Sequence, residues 1–326
     1  MMTFVTKLYD KFYKTALVLL TAGKLCGIII VERLNGMRIE FFNFWYFLWI
    51  AVFVGVFFGL YFLLRNKSEK VKKITLFCIL LAMLALHFLK CLFPPYSTDL
   101  ERLYRDIFFI NICGANIFLF PFLFWSKSDT VKDYMFYIGV VSGVLSMLLP
   151  LEPMQKSNPT EEWLDIVRFY IHHAFLWIVP LLMVVLGLHK LSYKRVWKVP
   201  GGLLLLMLFI VLNQILQSEL GFVPLRDDNF FDVNYKNSSY IWGPDDDIGY
   251  FLANFCPNIF KRVPVGEFAG QQKYWPWVWL IVPAYVLLTP IVFGVSMIFD
   301  HKAFTADLRK LKAFLQERKK NKEQEK

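Results

Sequence analysis

The sequence predicts an all-α protein. It reads as a polytopic membrane helix bundle of about seven transmembrane helices, with an N-terminal interfacial helix and a C-terminal basic amphipathic helix. Three observations carry this. Of 326 residues, 57% are hydrophobic and only 19% charged, with 34 Phe, 15 Tyr and 10 Trp, and the mean hydropathy is +0.46; soluble domains carry about 25% charge and far less apolar bulk. Apolar stretches recur at the length of about 20 residues that a helix needs to cross about 30 Å of hydrocarbon. Those stretches do not alternate apolar with polar residues, as barrel strands do over about ten positions. Disordered, collagenous, disulfide-rich secreted and simple soluble-enzyme classes are excluded by the same arithmetic.

Residues 1–43 form the N-terminal segment. Its apolar stretch 15–31 carries Lys24 at the centre and Gly23 and Gly27 nearby. A mid-span Lys costs about 2.5–3.5 kcal/mol on insertion scales, so this stretch is expected to lie in the interface or insert partly. No small-residue cleavage site follows it, and Gly23-Lys24-Leu25 before Cys26 is not a lipobox. The transmembrane domain, 44–299, contains seven expected spans: 44–64, 74–93, 107–125, 134–151, 167–188, 203–220 and 277–299. A loop over 221–276, with Asp245-Asp246-Asp247 and Pro257, separates the last two. A structureless loop of that length is expected to be a lid, a binding loop or disordered. Its Asp run lacks the spaced ligands of an EF-hand. Tyr274-Trp275-Pro276-Trp277 closes the loop as an aromatic belt, the composition of a membrane interface.

Lys and Arg concentrate in the short loops 65–73, 126–133 and 189–199 and in the tail 300–326, and are sparse in 94–106 and 152–166. The positive-inside rule then places the C-terminus in the cytoplasm and the N-terminus outside, in a multi-pass cell-membrane protein. The same distribution accounts for the net charge of +10 without nucleic acid. In the tail, Phe304, Leu308, Leu311 and Leu315 recur at helical spacing beside Arg309, Lys312, Arg318, Lys319 and Lys320. Such a helix suits the surface of an anionic leaflet; a solvated, topology-setting tail is the alternative.

Polar side chains within spans are costly and face the bundle interior. His87, Lys90 and Cys91 share a stripe near the end of the second span, by their i, i+3, i+4 spacing. Asn111, Cys113 and Asn116 lie near the start of the third, Ser142 and Ser146 in the outer half of the fourth, His172 and His173 near the start of the fifth. Asn213, Gln214 and Gln217 end the sixth. All fall in one half of the membrane, over an expected apolar floor. Counted from the starts of their apolar stretches, Cys113 and His173 are equally deep, roughly 9 Å at helical rise. One polar basin without a polar path to the far side suits chemistry on membrane lipids better than a pore.

The five Cys form no CxxC pair, and there is no P-loop, GxGxxG, GxSxG or HExxH motif and no internal repeat,. No cofactor is expected; Cys113, His87 and a second His are the one set with zinc-ligand chemistry.

The third to fifth spans resemble a known family. Asn111-Ile-Cys-Gly114 is followed by Pro121, then Tyr137-Ile-Gly-Val-Val-Ser-Gly143 and Pro150, then Arg168-Phe-Tyr-Ile-His-His-Ala174 and Pro180, with Trp275-Pro276-Trp277 before the last span. This pattern is similar to the YwaF family of bacterial integral membrane proteins, whose eukaryotic relatives include a transmembrane phospholipid acyltransferase. The similarity covers roughly residues 100–300. It implies acyl transfer through Cys113 and His173, the latter because a small residue, Ala174, follows it. Asn111 stands where the common bacterial pattern has His.

Chemistry read from the residues favours the same pair. A thiol needs a neighbouring base to become a nucleophile, and an imidazole can take its proton and return it to the leaving group. Asn116 and Asn213 are the expected donors to a developing oxyanion; His172, Gln214, Gln217, His87, Lys90 and Asn111 complete the candidate pocket. The expected function is therefore a lipid acyltransferase or acyl hydrolase. A small-molecule transporter or receptor and a non-catalytic membrane scaffold are the alternatives.

Overall fold

The computed structural model describes residues 38–99, 103, 106–156, 162–220, 239–262 and 272–324. The expected N-terminal interfacial helix at 15–31 lies outside these residues. The expected helix bundle is present: six helices are long and apolar enough to cross a membrane, and a seventh apolar helix is shorter.

Helix α1, Phe44–Leu64, starts at Asn43, whose side chain accepts from the Tyr46 N–H. It is apolar on every side and touches the bundle along one line. There Trp49 stacks on Tyr170 with ring centroids 4.8 Å apart, and the Tyr46 hydroxyl donates to the Leu148 carbonyl at 3.0 Å. Helix α2, Glu69–Leu89, is capped by Ser68 and runs into a 3₁₀ turn, Lys90–Leu92. Helix α3, Ile112–Phe124, is followed by α4, Asp129–Leu148, then α5, Trp163–Val185, and α6, Lys198–Glu219.

Helices α4 and α5 form the tightest pair in the bundle, and two glycines explain it. A Cβ at Gly143 would stand 2.6 Å from the His173 carbonyl oxygen, and one at Gly139 would collide with the Leu176 carbonyl. Small residues let membrane helices approach backbone to backbone, where dispersion and weak polar contacts replace the hydrophobic drive that lipid removes. Helix α5 is correspondingly dry, with Tyr170, Ala174, Leu176, Ile178 and Val179 fully buried.

Three expectations need correction. The third span was expected over 107–125, but helix α3 has 13 residues and begins at Ile112. At 1.5 Å per residue it is about 20 Å long, short of a full crossing. Phe109 adopts φ +52, which breaks any helix running in from residue 107, and Asn111 then caps a new start. The loop 221–276 is not structureless in its described part. That part holds α7, Asp247–Ala253, and a two-residue hairpin, β1 Lys261–Arg262 against β2 Lys273–Tyr274. Asp246 from the acidic run caps α7 by accepting from the Gly249 N–H at 2.8 Å.

The far end of the bundle is not an apolar floor. Asp133, at the start of α4, is fully buried. It accepts from Arg195 at 2.5 Å and pairs with His189 at 2.7 Å. The short loop after α5 folds back to bring both partners in, which apolar patterning within spans does not report.

The chain ends in a helical stretch that starts irregularly. Trp277 has φ +66; its indole donates to the Leu204 carbonyl at 2.6 Å and its N–H to the Ile241 carbonyl at 2.6 Å. A 3₁₀ turn, one α turn and a π turn, Ala284–Leu288, lead into α8, Thr289–Gln324, which bends at Asp300. Span and tail are expected as separate helices, and the non-helical Asp300 (φ −125, ψ 16) divides them at that boundary. The tail half is held by Tyr193, whose hydroxyl donates to Asp307 at 2.7 Å. Beyond this contact Leu308, Leu311, Phe314 and Leu315 are exposed.

Candidate functional site

The site is built around the segment 106–111 between α2 and α3, which is helical at 106–107 and non-helical over 108–111. Unpaired backbone carbonyls inside a bilayer cost several kcal/mol each, so irregular backbone survives at membrane depth only where protein or a cavity satisfies it. The carbonyls of residues 106, 107 and 108 each have a partner from a neighbouring element. Lys90 Nζ donates to the Asp106 carbonyl at 2.6 Å. His87 Nε2 meets the Ile107 carbonyl at 3.1 Å. Asn213 Nδ2 and Gln217 Nε2 both donate to the Phe108 carbonyl, the latter at 3.3 Å. Four polar residues read from the sequence as pocket candidates thus hold one strand of backbone in place.

Asn111 closes the segment. Its Oδ1 accepts from the Gly114 N–H at 2.6 Å, the side-chain cap that Asn performs well at a helix start. A Cβ at Gly114 would lie 3.1 Å from that same oxygen. The result sets Cys113 in the first turn of α3. The first N–H groups of a helix have no intrahelical acceptor and favour negative charge beside them.

Cys113 and His173 line one cavity of about 530 Å³, together with His87, Lys90, Asn111 and His172. Their positions counted from the helix starts differ from the equal rise counted from the edges of the apolar stretches. Cys113 lies in the first turn of α3 and His173 in the third turn of α5.

The two adjacent histidines have different work. His172 is buried; its Nδ1 lies 3.3 Å from Arg168 Nη1 and its Nε2 3.2 Å from the Met83 carbonyl. Arginine only donates, so Nδ1 accepts and Nε2 carries the proton, and both nitrogens are engaged. His173 is half-buried. Its Nδ1 donates to the Phe169 carbonyl at 2.8 Å, which leaves Nε2 as the unprotonated nitrogen. That tautomer is the one able to receive a proton in the cavity.

Four expected pocket residues do not line the cavity. Asn116 is buried and its Oδ1 accepts from the Tyr134 hydroxyl at 2.9 Å. Gln214 accepts from the Trp242 indole at 3.0 Å. Asn213 and Gln217 are committed to Phe108. Neither Asn116 nor Asn213 is placed to meet an oxyanion beside Cys113. Among the described residues, no group of His, Cys, Asp and Glu is placed to hold a metal ion.

Other lining residues were not anticipated: Tyr96, Asp106, Glu152, Arg168 and Ser239. Arg168 is fixed by Asp165, with Nη2 at 2.5 Å, and by the Tyr96 hydroxyl at 3.1 Å. Lys156 pairs with Asp165 and, at 3.0 Å, with Glu162. Burial pushes the Tyr96 phenol well above its ordinary range, so it stays neutral and donates to Asp165 at 3.1 Å. The spacing of Asp165, Arg168 and His172 along one helix face was the available signal for this cluster.

In comparison with known proteins, the model of the TMEM164 family matches residues 12–255 of the chain. No curated protein and no solved structure matches it.

Proposed function

We propose that this chain, which belongs to the TMEM164 family, is an integral-membrane lipid acyltransferase or acyl hydrolase with Cys113 as nucleophile and His173 as base. The carrying observation is that both residues line one cavity of about 530 Å³, with the unprotonated nitrogen of His173 available to it. In the first half-reaction His173 Nε2 takes the thiol proton and the sulfur attacks a lipid ester carbonyl. The ester C–O bond then breaks, and the departing lysolipid alcohol takes the proton back from His173. This leaves an acyl-thioester on Cys113. In the second, a lysolipid hydroxyl or water gives its proton to His173 and attacks the thioester, and the C–S bond breaks. The thiolate recovers the proton.

The oxyanion of each tetrahedral intermediate is met by the N–H groups of Ile112 and Cys113 at the start of α3, which lack intrahelical acceptors. These replace Asn116 and Asn213 in that role. The finer resemblance to the YwaF family supports the same pair. Asn111, in place of its His, serves as the cap that sets Cys113 in position.

The Lys and Arg distribution supports an extracytoplasmic cavity and a cytoplasmic C-terminus in the cell membrane. Exposed Leu308, Leu311, Phe314 and Leu315 beside Arg309, Lys312 and Arg318 support contact of the tail with an anionic leaflet.

The test compares lipid acyl profiles of cells expressing wild type, Cys113→Ala and His173→Ala at equal levels, with acyl-like electrophiles used to label Cys113. Wild type is expected to shift the acyl distribution, and both variants to abolish the shift. Identical profiles with no labelling of Cys113 would sink the reading and leave a scaffold or transporter.

A further inference from the structure

Lys90 is the cavity's incompletely partnered cation. It is 5% exposed. Among the described residues its Nζ makes one hydrogen bond, to the Asp106 carbonyl at 2.6 Å, and lies 5.0 Å from the Tyr96 ring centroid. Among the described residues no carboxylate comes within 4.0 Å of it. The contrast with its neighbours is sharp. Lys156 is held by Asp165 and Glu162, and Arg168 by Asp165. A lysine ammonium has three donors, and a buried charge without a counterion is costly unless something completes it. Lys90 borders the same cavity of about 530 Å³ as Cys113.

We propose that Lys90 forms an anion subsite that holds the phosphodiester of a phospholipid whose ester carbonyl lies at Cys113. A phosphodiester carries a single negative charge and several acceptor oxygens, which matches the unused donors of one lysine. The lining also contains Asp106 and Glu152. These carboxylates disfavour a dianion and suit a headgroup that carries a positive group beyond its phosphate. The inference deepens the acyl-transfer reading by naming the group that orients the lipid, and it rests on that reading only for the chemistry at Cys113. Binding itself requires no thiol.

The test is thermal unfolding of the purified full chain in detergent with four probes at low mole fraction: oleoyl-lysophosphatidylcholine, monooleoylglycerol, oleate and inorganic phosphate. Wild type and Cys113→Ala are both expected to gain several degrees in Tm with the lysophospholipid, because a ligand of the native state stabilises by mass action. Lys90→Met should lose that gain and Lys90→Arg should retain most of it. Monooleoylglycerol should give little in any form. Should Lys90→Met fail to fold, the lysophospholipid-against-monoglyceride difference in wild type and Lys90→Arg still decides. Equal protection by monooleoylglycerol, or a full gain retained in Lys90→Met, would overturn the subsite. Equal protection by oleate would reassign it to a carboxylate, and equal protection by phosphate alone would reassign it to the free ion; either result overturns the lipid phosphodiester. Undiminished lysophospholipid binding by a protein with no acyl transfer would sink the acyl-transfer reading while leaving the role of Lys90 intact.

Discussion

His87 at the end of α2 and Lys90 in the 3₁₀ turn that follows take up consecutive backbone carbonyls at the helical end that precedes the break before α3. His87 Nε2 meets the Ile107 oxygen at 3.1 Å and Lys90 Nζ the Asp106 oxygen at 2.6 Å. From the other side, Asn213 and Gln217 on α6 hold the next carbonyl, Phe108. Two helices far apart in sequence thereby position the start of α3, and with it Cys113.

Removing one of these partners should loosen the segment more than it changes the cavity wall. His87→Ala and Asn213→Leu each leave a carbonyl with less than its native satisfaction, at a cost of about 1–3 kcal/mol. Thermal melts of the purified variants should show the loss. Labelling of Cys113 by an acyl-like electrophile should fall in parallel, because the helix start that exposes it is no longer held.

The two adjacent histidines should separate stability from activity. His172→Ala strands the Met83 carbonyl and one side of Arg168, and should cost about 1–3 kcal/mol. His173→Ala removes the proton acceptor and should abolish acyl transfer with a much smaller change in Tm. Paired melts and lipid assays on both variants check this. The reverse ranking would exchange their assignments.

Gly143 tests the α4–α5 contact. A methyl there would meet the His173 carbonyl at 2.6 Å, so Gly143→Ala must push the helices apart. Overpacking of this kind costs about 1–3 kcal/mol. The displaced atom belongs to His173, so activity should drop along with stability. Gly55→Ala on α1, where the added carbon meets nothing within 4 Å, is the matching control and should leave both unchanged.

At the far end, Asp133→Ala should be among the most damaging single changes. It leaves His189 and Arg195 without the carboxylate both share. Breaking a buried ion pair by removing one member costs about 3–5 kcal/mol. Expression level and detergent-solubilised Tm give the readout, and the cavity chemistry of any protein that does fold should be intact.

The bundle was legible in the sequence because hydropathy is a local property. Phe44–Leu64 emerges with its observed limits. The third span misled because Ile107-Phe-Phe-Ile110 is as apolar as a helix. A buried extended segment and a helix look alike to a hydropathy count. The signal that distinguished them was Asn111 three residues before Gly114, a cap pattern inside an apolar stretch. Cys113 and His173 could be singled out as nucleophile and base candidates by residue type. The polar residues of α2 and α6 were visible as costly and clustered. Whether they face a ligand or a backbone carbonyl is decided by residues more than a hundred positions away, as with Asn213 and Phe108. The far-end cluster escaped because His189 and Arg195 were read as loop charges and enter the protein only through the fold of the loop.

The broken backbone before α3 has one more consequence. An unassembled or partly inserted chain has no Lys90, His87, Asn213 and Gln217 converging on residues 106–108. The apolar stretch from Ile107 would then relax into an ordinary continuous helix, and Cys113 would lose its place at a helix start. A reactive thiol would therefore exist only once α2, α3 and α6 have met. Under the proposed chemistry, folding acts as an interlock, and the membrane is spared an acyl-accepting cysteine on every half-made copy.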